Sequence, residues 1–389
     1  MNETGALAGL LVLPEEEKLR RGLRHTPHEI HQQPATWENT YHRIAQAQNA
    51  LRAFLTQAAP DAVFLNGAGT SDYVGKALAA LLRQHWRCEV QAIASTDLLT
   101  EMDELVLPQR SYLWVSFSRS GDSPEGVAVM EAALRRFPHI HHLVISCNQQ
   151  GRLVREFAGR QNVFCVTLDD AVNDRGLAMT SSFTNLVIAG QCLAHVYALA
   201  DYEATLQQLI AAGQAALNPA AKLAAQLART NFRQACFLGS GSLNAIAHEA
   251  ALKLLELTAG RVSTRSESFL GIRHGPLSAV NAETLVVAFL SSAPQRQSYE
   301  LDLLAELQRK KLGQKRIVVT TQTEPALAAL ADEILLLQPA LPDAYRPPVD
   351  VLFGQLLGLF ASLQHSLQPD TPSPNGAISR VVNEFKIYA

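Results

Sequence analysis

Val63-Phe64-Leu65-Asn66-Gly67-Ala68-Gly69-Thr70-Ser71 carries the clearest sign of how this chain folds. A short apolar run meets a glycine-rich turn, and two hydroxyl residues then open a helical pattern. That is the grammar of a parallel sheet wrapped by helices. It returns in Ala235-Cys236-Phe237-Leu238-Gly239-Ser240-Gly241-Ser242. A second strand, Leu113-Trp114-Val115-Ser116-Phe117-Ser118-Arg119-Ser120, is echoed by Leu285-Val286-Val287-Ala288-Phe289-Leu290-Ser291-Ser292. Gly67 to Gly239 and Leu113 to Leu285 share one offset, which separate strands do not acquire by chance. The third strands, at 142–147 and 316–321, follow nearly in register, and each half closes with an apolar helix, at 183–199 and 351–363. Two homologous α/β lobes are therefore expected.

Working outward, residues 1–60 read as helical and linking. Thr26-Pro27-His28-Glu29 has the form of a capping box with proline at the first helical position. A separate amphipathic helix is expected over 37–58. The expected organisation is an N-terminal helical segment at 1–50, a first lobe at 51–210, a second at 211–370, and a tail at 371–389 that closes on the site.

The bulk numbers agree with two cores. The chain has 389 residues, beyond the roughly 250–300 that one hydrophobic core sustains. Apolar residues make up 48% and charged residues 18%, with a net charge of -3. A nucleic-acid binder normally carries a basic excess, so no nucleic-acid partner is expected. No apolar run approaches the ~18 residues of a membrane span, so no membrane association is expected either. The apolar run at 6–13 lacks the basic flank of a signal peptide, because Met-Asn-Glu-Thr precedes it. Five scattered cysteines without a CxxC pair suit reduced thiols, and the expected location is the cytoplasm.

In an open parallel sheet, ligands bind beyond the carboxyl ends of the strands, where helix N-termini present unpaired N–H groups. The first lobe places two hydroxyl-rich turns there, Gly67-Ala68-Gly69-Thr70-Ser71 and Ser118-Arg119-Ser120-Gly121-Asp122-Ser123. Either turn alone reads equally well as a helix N-cap. Two on neighbouring strands point to a cradle for a phosphate monoester. A dinucleotide is disfavoured because Asp72 stands where GxGxxG needs its third glycine, and no Gly-Lys-Ser/Thr of a Walker loop follows. The matching turn of the second lobe, Ser291-Ser292-Ala293-Pro294, has lost its glycine and is not expected to hold phosphate.

The second lobe offers chemistry of another kind. Glu249, Lys253 and Glu256 fall in one narrow stripe of an otherwise apolar helix. On an amphipathic helix this would be a surface ion pair plus a solvated glutamate. Here the apolar arc is too wide for that, so the stripe is expected to face a cleft, where a carboxylate can serve as general base. His274 lies in the Gly/Pro-rich run Gly271-Ile272-Arg273-His274-Gly275-Pro276, a loop in which a positioned acid–base histidine is plausible. The histidines at 25, 28, 31, 139, 141 and 142 match no zinc-ligand spacing, and no metal or other cofactor is expected. No GxSxG follows a strand, which disfavours a serine hydrolase.

Together these residues resemble the sugar isomerase (SIS) family, in the double-SIS arrangement of the isomerase half of glucosamine-6-phosphate synthase, over roughly residues 50–389. At whole length the chain is similar to the bacterial AgaS-type proteins of galactosamine catabolism, on the run from Thr26 to Trp37 and the Arg-Val-Val-Asn-Glu tail at 380–384. The resemblance implies two tandem SIS lobes, each a flavodoxin-like three-layer sandwich. It implies phosphate binding by Thr70, Ser71, Ser118, Arg119, Ser120 and Ser123. Glu256 would be the proton shuttle, Lys253 and Glu249 would orient and stabilise the intermediate, and His274 would open the sugar ring. In the family that histidine comes from a neighbouring subunit, implying a homodimer or higher homo-oligomer.

Two departures matter. The synthase's glutaminase nucleophile is an N-terminal cysteine, whereas the first cysteine here is Cys88. Its tail also supplies a Schiff-base lysine where this chain has Arg380, a side chain that is not deprotonated in proteins. The activity implied is conversion of galactosamine 6-phosphate to tagatose 6-phosphate and ammonia. Alternatives are a plain aldose–ketose isomerase of a neutral hexose phosphate and a non-catalytic sugar-phosphate sensor.

Overall fold

The computed structural model describes residues 5–382 and 385–388. Asn383 and Glu384, the last two residues of the tail motif, lie outside the described residues, as do residues 1–4. Two compact units emerge. One comprises residues 35–174, 181–206 and 378–389, the other residues 1–34, 175–180 and 207–377.

The first of these units holds five parallel strands: β1 (Ala62–Gly67), β2 (Glu89–Ala94), β3 (Tyr112–Ser118), β4 (His141–Ser146) and β5 (Val163–Thr167). They are ordered β2-β1-β3-β4-β5. Every residue of β1 and β3 is buried, which explains why both read as continuous apolar runs rather than alternating ones. The register sets Leu65 beside Val115 and Asn66 beside Ser116, so the loops leaving β1 and β3 emerge side by side. Helix Ser181–Ala194 is buried at all of its positions and packs on helix Thr70–Trp86.

The other unit repeats the plan with β6 (Gln234–Gly239), β7 (Ser263–Ser268), β8 (Thr284–Phe289), β9 (Lys315–Thr320) and β10 (Glu333–Leu336). Their order is β10-β9-β8-β6-β7, the same sequence of strands in each duplicated half. Its central helix, Ser242–Leu257, packs on helix Pro347–Gln364, which is buried along nearly its whole length. The expected two α/β lobes are thus present as two parallel five-stranded sheets, each flanked by helices.

The N-terminal region departs from expectation. A single helix runs from Thr26 to Ala58 with Pro34 inside it, where a separate helix over 37–58 was anticipated. Proline removes the N–H that would bond the carbonyl of Ile30. Gln33 compensates, its Nε2 donating to Ile30 O at 2.9 Å. The start of the helix is capped from afar. Asp370 accepts from the backbone N–H of Arg24 (2.8 Å) and Thr26 (2.7 Å) and from Thr26 Oγ1 (2.8 Å). Glu29 accepts from the N–H groups of Arg175 and Gly176. The box read from Thr26 and Glu29 is therefore replaced, at the Thr26 N–H, by a long-range carboxylate. Among the described residues no single helix is long and apolar enough to cross a membrane, and all five cysteines are free.

Candidate active site

In the unit built on β1–β5, the chain leaves β1 towards β2 on one side and leaves β3 towards β4 on the other. The crevice outside the carboxyl ends of such a pair is where open α/β sheets bind ligands. Gly69 makes the first turn possible, with φ 56 and ψ -124 at the N-cap of helix Thr70–Trp86, a conformation only glycine adopts cheaply. Thr70 and Ser71 follow it and are buried. The second loop is organised by its own hydroxyls. Ser118 Oγ accepts from Gly121 N–H at 2.9 Å, and Ser120 Oγ from Asp122 N–H at 3.1 Å. Each serine thus spends a lone pair on shaping its own loop. Asn148 Nδ2 grips Ser120 O at 2.8 Å from the neighbouring strand end. Ser123, half-buried, is the N-cap of helix Pro124–Arg136 and makes no side-chain capping bond.

Arg119, buried in that loop, donates to Arg380 O. The Arg380 guanidinium in turn donates to Asp174 O and Asn173 Oδ1, both at 2.6 Å. The tail is thereby tied to the loop after β3, and the Arg380 guanidinium is engaged with Asn173 and Asp174. Asp174 caps helix Ser181–Ala194 through the N–H groups of Ser181 (3.1 Å) and Ser182 (2.9 Å). Sequence reasoning missed Asn173 and Asp174, because the arginine that binds both lies over 200 residues away.

In the unit built on β6–β10, Lys253 Nζ sits 3.4 Å from Glu249 Oε1 and 2.6 Å from Glu256 Oε2. Glu249 and Lys253 are fully buried, while the Glu256 side chain is 22% exposed. The stripe expected to line a cleft is thus graded: two charges enter the core and only the third reaches solvent. The pair is no surface salt bridge. His274 ends a short helical turn, Gly271–His274, and is exposed. Its loop is fixed by Arg273, which pairs with Glu306 and Asp302, both at 2.7 Å. Lys310 and Arg273 hold the Glu306 carboxyl down at about 2. Among the described residues His274 makes no hydrogen bond or ion pair with the Glu249–Lys253–Glu256 trio.

The turn at Ser291 and Ser292 in this unit is closed by a carboxylate of the same chain, Asp343, to which Ser292 donates its N–H at 2.9 Å and its Oγ at 2.8 Å. Glu300, fully buried beside it, accepts from Ser291 N–H at 2.7 Å. Burial raises its carboxyl to about 7. Neither residue was legible in the sequence, since nothing local marks them.

A family model described as SIS domain matches residues 230–356. The D-galactosamine-6-phosphate deaminase AgaS of Escherichia coli O157:H7 is 36% identical, over 93% of this chain and 95% of that protein. The chain belongs to the AgaS family of SIS-domain proteins. The crystal structure of tagatose-6-phosphate ketose/aldose isomerase from Escherichia coli superposes on this AgaS-family chain with a TM-score of 0.84 at 34% identity, covering 89% of this chain and 95% of the other. The C-terminal domain of glucosamine-fructose-6-phosphate aminotransferase from Francisella tularensis shares the fold, with a TM-score of 0.78 at 20% identity over 92% of this chain and all of that one. The double-SIS architecture expected from the sequence is therefore that of the AgaS-family chain.

Proposed function

We infer that this chain is a deaminating aldose–ketose isomerase that converts D-galactosamine 6-phosphate and water to D-tagatose 6-phosphate and ammonia. The reading is supported by full-length similarity to curated deaminases. The structural observation that carries it is the graded trio, in which Glu256 alone reaches solvent and is held by a buried lysine.

Thr70, Ser71, Ser118, Ser120 and Ser123 donate hydroxyl protons to the substrate phosphate, and Arg119 offsets its charge. His274, exposed on its own subunit, assists ring opening in a neighbouring copy of a homo-oligomer. Glu256 removes the C2 proton of the open-chain 2-amino aldehyde while O1 is protonated, giving an enolamine. The proton returns to C1, leaving a primary alcohol at C1 and a ketimine at C2. Water adds to C2 and ammonia departs, which balances the reaction without a lysine Schiff base, so Arg380 is compatible with it. Lys253 fixes the Glu256 carboxylate, and Glu249 holds Lys253. Free thiols and a sugar-phosphate substrate suit a cytoplasmic enzyme.

The test is Glu256→Gln. It should abolish exchange of the C2 hydrogen with deuterated solvent while inorganic phosphate still binds by calorimetry, and retained exchange refutes the assignment. The likeness to a ketose/aldose isomerase structure favours one second reading, isomerisation of a neutral hexose phosphate by the same shuttle. Ammonia release from galactosamine 6-phosphate separates the two.

A further inference from the structure

The two units share a strand order and a sequence offset, so the loops after β6 and β8 are the counterparts of the phosphate loops after β1 and β3. The likeness extends to backbone angles. Gly241, at the N-cap of helix Ser242–Leu257, has φ 60 and ψ -130, against 56 and -124 at Gly69. The backbone shape of the first unit's turn has therefore survived in the second unit.

The group set against Gly241 is the Arg296 guanidinium, and the anion that Arg296 meets is the Asp343 carboxylate, held by the loop after β8. One carboxylate oxygen accepts from Ser292 N–H at 2.9 Å and Ser292 Oγ at 2.8 Å. The other accepts from Ser291 Oγ and from Arg296 Nη1 at 3.1 Å. Arg346 Nη1 stands 3.6 Å from the first oxygen, and Ser242 Oγ donates to Asp343 O at 2.8 Å. Two serine hydroxyls, a backbone amide and two guanidinium groups around one buried anionic group form the donor set that a phosphate monoester recruits. An ordinary structural carboxylate needs one counter-ion or a cap, and this one has both kinds of donor from three segments of chain.

We propose that the second unit retains an anion cradle for a tetrahedral oxyanion, inorganic phosphate or a phosphate monoester, and that Asp343 is its built-in occupant. The reason for a single phosphate-binding unit per chain is then not loss of the second cradle but its internal occupation. Ala293, which stands where the first unit's loop has Gly121, is compatible with this, because the amide used is that of Ser292, one residue upstream.

The test counts sites. Asp343→Gly empties the cradle, and pairing it with Glu300→Gln removes the other carboxyl group that faces Ser291. Inorganic phosphate is titrated calorimetrically into the native chain and the double variant. One additional phosphate per chain is expected in the variant, and phosphate in place of chloride should raise its thermal midpoint more than the native one. The number bound by the native chain tests the first unit's loops, so failure there is distinguishable from failure here. An unchanged site count overturns the proposal. If the variant does not fold in chloride, refolding in phosphate should recover it, and failure in both buffers also overturns the proposal. Binding of phosphate that survives Arg296→Ala in the variant would show an adventitious ion only.

Discussion

Replacing Lys253 with Met tests the trio most directly, because the cost can be worked out partner by partner. Glu249 is 0% exposed and Lys253 1%, at 3.4 Å. Removing the lysine leaves a carboxylate in the core without its counter-ion, for which about 3–5 kcal/mol is typical. Glu256 is 22% exposed and can recover water, so its share should stay below about 1 kcal/mol. The single variant should therefore lose roughly 3–5 kcal/mol, nearly all of it through Glu249. Adding Glu249→Leu removes the stranded charge, and the double variant should return to within about 1 kcal/mol of the native chain, since apolar replacements of whole buried ion pairs are often neutral. Turnover should be lost in both, because neither holds Glu256. The three tryptophans, Trp37, Trp86 and Trp114, all lie in the other unit. Fluorescence would thus miss the event. Urea unfolding followed by far-ultraviolet circular dichroism, with hydrogen exchange of peptides covering 242–257, reads it. A Lys253→Met variant that loses less than about 1 kcal/mol, or a double variant no more stable than the single, refutes the burial argument, and an active double variant refutes the positioning role.

Glu300→Gln should change how stability depends on pH. The folded carboxyl titrates near 7, above the ordinary 4.5, because burial disfavours its charge. Its contribution is fully present below about 4.5 and is lost as pH rises through 7, a span worth about 3 kcal/mol. The variant should match the native chain at pH 4.5 and exceed it at pH 8 in urea midpoint, and equal differences at both pH values would contradict this. Asp370→Ala should cost about 2–3 kcal/mol by stripping acceptors from the N–H groups of Arg24, His25 and Thr26. Thermal unfolding and faster exchange over the first turn after Thr26 check it. Arg380→Ala should free the tail from Asn173 and Asp174. Residues 378–382 should then be cleaved sooner in limited proteolysis and the KM for the sugar phosphate should rise. An unchanged digestion pattern would count against the tie.

The features that were legible in the sequence are those whose cause is local. Strands such as β1 and β3 read as apolar runs because both faces of their sheet are covered. The two hydroxyl-rich turns after β1 and β3 were legible as turns because glycine and serine shape each of them locally. The stripe at 249, 253 and 256 is visible because one helix turn brings those positions together, and its charge ordering then follows from depth, which sequence spacing does not encode. What escaped is long-range. Thr26 looks capped by Glu29, three residues on, yet its N–H is taken by Asp370, 344 residues away. Both are physically satisfactory acceptors for a helix N-terminus, and only tertiary structure chooses between them.

Asp343 carries the same lesson into function. Residues 291–294, read alone, indicate a phosphate loop that has decayed, since its glycine is gone. With Asp343 in view, 51 residues further on from Ser292, the loop is an anion site in use. On the proposed reading, duplication supplied two cradles, and their divergence needed only one acidic side chain to close the second. That closure has a structural return, because Ser242, which opens the helix bearing Glu249, Lys253 and Glu256, is pinned by the same residue. The bond runs to the main-chain carbonyl of Asp343, so seating its carboxylate on Ser291 and Ser292 also fixes the acceptor that this helix start uses.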